Sequence, residues 1–289
     1  MPSSVSRLVL ILFVGHLSLI GCDDYYYDDD DDDDVGSDDD DVGSDDDDDN
    51  PDNGDFVVVW GDDSGYEPYS LWLQENSGVQ EIADTLNNTF RLPGSDLPFI
   101  HEICSNNPLL TDPRNAFFYS LTNSITICYE FIERVDSIFV DGFWGTDFEP
   151  QTGQAVIETY WFVLFHELGH GLVWNYNLPV TGSQEDAVDE FSSLLLIQSG
   201  QADAVVGAAF YWLLSNPEGS PTPSVLADTH GLNMQRMYNM LCWVYGSNPS
   251  AYGHLLEWFP DLGPRAANCE AEYEQKVYAW GTLLQPWEQ

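Results

Sequence analysis

The alternation of apolar and polar positions divides the chain from Phe56 onward into a strand-bearing first part and a helical second part. "DFVVVWG" is a short run of β-branched and aromatic residues, the texture of a buried strand. Leu71 to Phe90 carries helical spacing, enough for one or two helices, and "LPFIHEI" reads as a second strand. A loop rich in Asn and Pro then extends to Asn115. "AFFYS" and "SITICYEFI" follow as strands about a turn at Leu121 to Asn123, the second running into a helix from Glu130. From Gly153 the period is helical almost to the end. Helices are predicted over Gln154–Asn175, Gln184–Gln198, Ala202–Leu214, Asn233–Tyr245 and Ala266–Leu283, separated by turns such as "NLPVTGS" and "SNPEGSPTP". Strands first and helices afterwards predict an α+β fold, not an alternating α/β sheet.

The first residues have a different character. Arg7 precedes the apolar run "LVLILFVGHLSLI", which is too short and too early for a stable span and has the plan of a secretory signal over residues 1–22. Its end, "LIGC", looks like a bacterial lipobox. That likeness implies lipidation of Cys22, anchorage to a membrane, and an exported lipoprotein in the cell envelope. Residues 23–55 hold 20 of the chain's 50 acidic residues and two copies of "DDDDVGS". Like charges at that density repel and bury nothing, so a disordered poly-Asp linker is expected. The spacing of an EF-hand calcium loop is absent.

Residues 56–289 form one domain of 234 residues, large enough for a sizeable core, with 30 acidic and 6 basic residues. That balance argues against nucleic acid as a partner and favours basic or neutral substrates. Four cysteines remain beyond Cys22: Cys104, Cys128, Cys242 and Cys269. An even number in an exported chain suggests two disulfides with three possible connectivities. Nearness in sequence favours Cys104 with Cys128 and Cys242 with Cys269.

The chemistry concentrates in "FHELGHGL". His166 and His170 stand four residues apart, so both imidazoles leave one helix face, as two Zn–N bonds of about 2.0–2.1 Å to one ion require. Glu167 is a quarter-turn round, placed for a general base and not for a ligand. Without a metal, a carboxylate in so apolar a segment would be costly to bury. Gly169 keeps the helix slim where another element must come close. The following helix carries Glu185 and Asp189 four apart, with Asp186 and Glu190 as a rival pair shifted by one residue.

This order, H-E-x-x-H followed by E-x-x-x-D, resembles the gluzincin metallopeptidases. The resemblance implies that Glu185 is the third metal ligand and that Asp189 holds the ring N–H of a ligand histidine. The blocks "ITICYE", "HELGHGL", "LPVTGSQEDAVDEFSSLLL", "DTHGLNMQRMYNMLCWVYGSNP" and "RAANCEAEY" narrow the likeness further. They resemble a bacterial family of mostly exported metallopeptidases known as a domain of unknown function. A zincin-like domain with Zn2+ is what that likeness implies; the likeness does not supply the substrate, and a peptide or protein substrate is the expectation from metal-assisted hydrolysis. His230 lies roughly where gluzincins keep a group that steadies the oxyanion. Tyr129, Arg236 and Tyr238 are further candidates for that donor role, although each is expected to be structural first, and His101 and His254 have no partner at ligand spacing. The competing reading is a non-catalytic metal-binding surface lipoprotein, against which Glu167 speaks, since such a protein has no need of a general base.

Overall fold

The computed structural model describes residues 53–107, 112–215, 221–222 and 229–289. The expected signal at 1–22, Cys22 and nearly all of the acidic linker lie outside them.

Six strands occur among the described residues. Asn53–Gly54 (β1) pairs antiparallel with Leu92–Pro93 (β3). The main sheet has the order β2-β4-β6-β5, from Phe56–Trp60 (β2), Leu97–Glu102 (β4), Ser124–Cys128 (β6) and Ala116–Tyr119 (β5). β2, β4 and β6 run parallel, with Phe56 opposite Leu97 and Phe99 opposite Ile125; β5 lies antiparallel at the edge, with Ala116 opposite Ile127. β6 is buried at every residue, which accounts for its unbroken "SITIC", whereas β4 alternates buried and half-buried positions. The β5–β6 hairpin turns at Asn123, whose φ of 48° is a left-handed conformation that Asn tolerates.

Two helices, Glu67–Asn76 (α1) and Val79–Thr89 (α2), cross from β2 to its parallel partner β4, so the expected single or double helix is double. Gly78 separates them at φ 59°. Tyr129–Phe143 (α3) follows β6 directly. Thr152–Asn175 (α4) is apolar on nearly every side because it is buried on nearly every side: it touches β5 and β6, α3, and the next two helices. Gln184–Gln198 (α5) starts at Ser183, whose hydroxyl accepts the Asp186 N–H, and Ala202–Leu214 (α6) packs on α4 and α5.

Asn233–Ser247 (α7), the short Leu255–Trp258 (α8) and Gly263–Leu284 (α9) complete the helical part. α7 and α9 approach so closely that a Cβ on Gly246 would fall 2.2 Å from the Cys269 carbonyl oxygen. The Cys242–Cys269 disulfide staples that crossing, and Cys104–Cys128 joins the segment after β4 to the end of β6. The fold is α+β. No described helix is long and apolar enough to cross a membrane.

Candidate metal centre

The hairpin of α4 and α5 builds the centre. His166 and His170 leave one face of α4, and Glu185 stands in the first turn of α5, where the N-terminal end of the helix dipole favours a carboxylate. The Nε2 atoms of His166 and His170 lie 3.2 and 3.3 Å from the same oxygen, Glu185 Oε2. Ligands about 2.0–2.1 Å from a tetrahedral ion are separated by about 3.3–3.4 Å, which is the spacing each imidazole nitrogen keeps from Glu185 Oε2, and all three atoms lie within 4.8 Å of one another. The donor set of two imidazoles and one carboxylate suits a zinc-like ion. Cys104, Cys128 and Glu130 also cluster, but the two sulfurs are bonded to each other, and Glu130 accepts the backbone N–H groups of Cys104 and Ser105.

Each of the two histidines is held from behind. His166 Nδ1 is 2.8 Å from Asp189 Oδ1, which directs Nε2 towards the cluster, and His170 Nδ1 is 2.9 Å from Gln184 Oε1. Asp189 is itself gripped by Arg236 of α7, whose Nε and Nη2 donate to its two oxygens at 2.7 Å each. The guanidinium lies 3.7 Å from the centre of the Trp212 ring. Burial opposes the charged carboxyl of Asp189, but the Arg236 charge and the bonds from His166 and Arg236 hold its pKa well below the usual range. Burial likewise opposes charge on His166, and the bonds to Asp189 and Glu185 outweigh it, lifting its pKa to about 9. Glu185 keeps its charge in the same way, against burial, through His166, His170 and His230.

A cleft of about 1300 Å³ opens over the cluster. Glu167 lines it while only 8% exposed. His230 lies at its rim, with Nε2 2.9 Å from Glu185 Oε2 and its ring 6.1 Å from that of His166. The edge strand β5 contributes Ala116, Phe117 and Phe118 to one wall.

A family model described as "Putative metallopeptidase" matches residues 62–284, which takes in β4, β5 and β6 of the main sheet, the helix hairpin and the clamp from α7. The chain belongs to this metallopeptidase family. Comparison with curated proteins and with solved structures yields no match.

Within this metallopeptidase domain the structure brings together His166, Glu167, His170, Glu185, Asp189 and His230 around one cleft. The rival acids face elsewhere: Asp186 is exposed, and Glu190 pairs with Lys276 of α9. Tyr129 is buried with its hydroxyl on Ser70, and Tyr238 does not line the cleft. His101 is a core residue bonded to Tyr160 at 2.8 Å, and burial pushes its pKa down to about 4.

Arg236, expected to be structural before it is an oxyanion donor, has a structural place here. It is only 7% exposed and both ends of its fork are spent on Asp189. Its isolation in "NMQRMYNML", a cation in an apolar stretch of an acidic chain, was the available signal, because a buried guanidinium requires an acidic partner.

Proposed function

We propose that the protein is an exported, membrane-anchored zinc metallopeptidase that hydrolyses peptide bonds. The observation that carries this reading is the convergence of His166 Nε2 and His170 Nε2 on Glu185 Oε2 at 3.2 and 3.3 Å, beside the buried Glu167. His166, His170 and Glu185 would hold the ion. When bound, zinc supplies Lewis acidity at a peptide carbonyl and lowers the pKa of water towards neutrality.

The chain's own residues do the rest. Glu167 accepts the proton of the attacking water on its carboxylate and hands it to the leaving amine. His230, at the cleft rim next to Glu185, donates to the oxygen on which negative charge develops. Asp189 keeps the His166 proton on Nδ1, and Arg236 keeps Asp189 in place. β5, an edge strand among the described residues, offers backbone groups against which an extended peptide can lie. The signal-like start and lipobox-like "LIGC" support export and anchorage at Cys22, and the two disulfides suit an oxidising compartment.

The test is the zinc content of the full-length chain beside His166→Ala, so that metal held by the acidic segment cancels. Near-stoichiometric excess zinc in the wild type, with peptide cleavage lost in a zinc-loaded Glu167→Gln variant, is the expected result. Equal zinc in both proteins would remove the metal centre. Equal cleavage with Glu167→Gln would remove its general base.

A further inference from the structure

Residues 56–289 hold six cations, and three of them line one cleft: Arg114, Arg134 and Arg236. The other three are engaged elsewhere, Arg91 with the Pro286 carbonyl, Arg265 with Glu272 and Lys276 with Glu190. Arg236 is spent on Asp189. Arg114 and Arg134 differ from all of these. Among the described residues they share a single carboxylate: Arg114 Nε is 3.2 Å from Asp112 Oδ1, and Arg134 Nη1 is 4.0 Å from Asp112 Oδ2. Two guanidiniums against one carboxylate leave a net positive charge, on side chains 61% and 38% exposed.

Their position gives that charge a use. Arg114 stands two residues before β5, and Ser120 at the other end of that strand also lines the cleft. β5 and the residues flanking it therefore line one wall of the cleft from Arg114 to Ser120, and the four strand residues alone cover about 13 Å, at about 3.3 Å per residue. Arg134 comes from α3, one turn after Phe131, which packs edge-on against Tyr211 at 6.2 Å. Tyr211 lines the same cleft as Arg134 and Arg236; burial raises its pKa, and both charges act to lower it. An extended chain laid along β5 would pass the two arginines and the metal ligands in one bound stretch.

We propose that Arg114 and Arg134 form an acid-recognition subsite, which selects peptides carrying a carboxylate, either an Asp or Glu side chain or a free C-terminus. The proposal rests on the peptidase reading. It sets the cleft against the rest of an otherwise acidic surface, whose field alone would favour basic or neutral substrates. Planar guanidiniums suit this role, because each matches a carboxylate with two parallel N–H donors.

The experiment uses the zinc-loaded full-length chain carrying Glu167→Gln, and fluorescein-labelled extended peptides in matched pairs: Glu against Gln at each position, and free C-terminus against amide. Fluorescence anisotropy at low salt should show the carboxylate form binding about tenfold tighter than its neutral partner, the value of one charge-assisted hydrogen bond. Whichever pair shows the difference identifies the source of the carboxylate. Adding Arg114→Gln and Arg134→Gln together should bring the ratio close to one. Arg134→Lys should keep part of the preference, and high salt should weaken it. Zinc content checks that each variant is folded.

A ratio that survives the double substitution, or a wild-type preference for the neutral peptides, would overturn the subsite. The same peptide pairs given to the wild-type enzyme separate the two ideas. Cleavage without charge preference removes the subsite and leaves the peptidase. Arginine-dependent binding without any cleavage leaves the subsite and removes the peptidase.

Discussion

Gly169, in the middle of the metal helix, is where packing and metal binding can be perturbed together. A Cβ added there would lie 2.9 Å from both Cβ and Cγ1 of Val188 and 3.1 Å from Cδ1 of Phe191, all on α5. Carbon atoms pack at about 3.5–4.0 Å, so Gly169→Ala must open the α4–α5 contact by about 0.6–1 Å. Val188 and Glu185 are three residues apart on the same helix and move together. Metal–ligand distances tolerate only about 0.2 Å, so the shift that admits the methyl group carries Glu185 out of place.

In free energy, the alanine gains about 1 kcal/mol of helix propensity, and overpacking costs about 1–3 kcal/mol. A net loss of about 1 kcal/mol in urea unfolding of the metal-free chain is expected, with a 10–100-fold loss of zinc affinity, the scale of a disturbed metal shell. Gly153→Ala, on the same helix as Gly169, is the control, because its Cβ would meet only Trp72 Cζ2 of α1, at 3.9 Å. Competition against a chromogenic chelator gives the affinities. Wild-type zinc affinity in Gly169→Ala would refute the argument that this close approach sets the position of Glu185.

Arg236→Met should destabilise the metal-free protein by about 3 kcal/mol, because it leaves Asp189 charged and buried without its fork, and should lower zinc affinity about tenfold; Arg236→Lys should fall between, both read by denaturant midpoints and chelator competition. His166, with its pKa raised to about 9, stabilises the metal-free fold fully below its unfolded value of about 6.5. That contribution should fade as pH rises through about 9, visible as a falling Tm in metal-free protein and absent when zinc holds the ring neutral.

Much of this architecture was legible because the relevant signals are local. α5 and α6 begin and end where their caps and apolar spacing say, and the spacing of His166, His170, Glu185 and Asp189 needs only the geometry of two helices. What escaped depends on residues distant in sequence. The parallel pairing of β2, β4 and β6 leaves no mark on any one strand, because a buried strand reads the same whichever way its neighbour runs. β1 and β3, two residues each, are too short to carry a period. Arg236 meets Asp189 across 47 positions, and Arg114 and Arg134 reach the same cleft from different elements, so their purpose emerges only once the chain is closed.

The helix hairpin also has a consequence for the order of assembly. His166 and Glu185 are only 19 positions apart, and His166 and Asp189 only 23, so the ligand cluster requires one short loop to close. Contacts of that range form early, whereas the fork of Arg236 waits for α7 to dock. Capture and clamping are therefore separable events. The residues that would hold an ion can meet once α4 and α5 pack together, without the last helices. Arg236 then arrives as the bolt that makes the arrangement rigid.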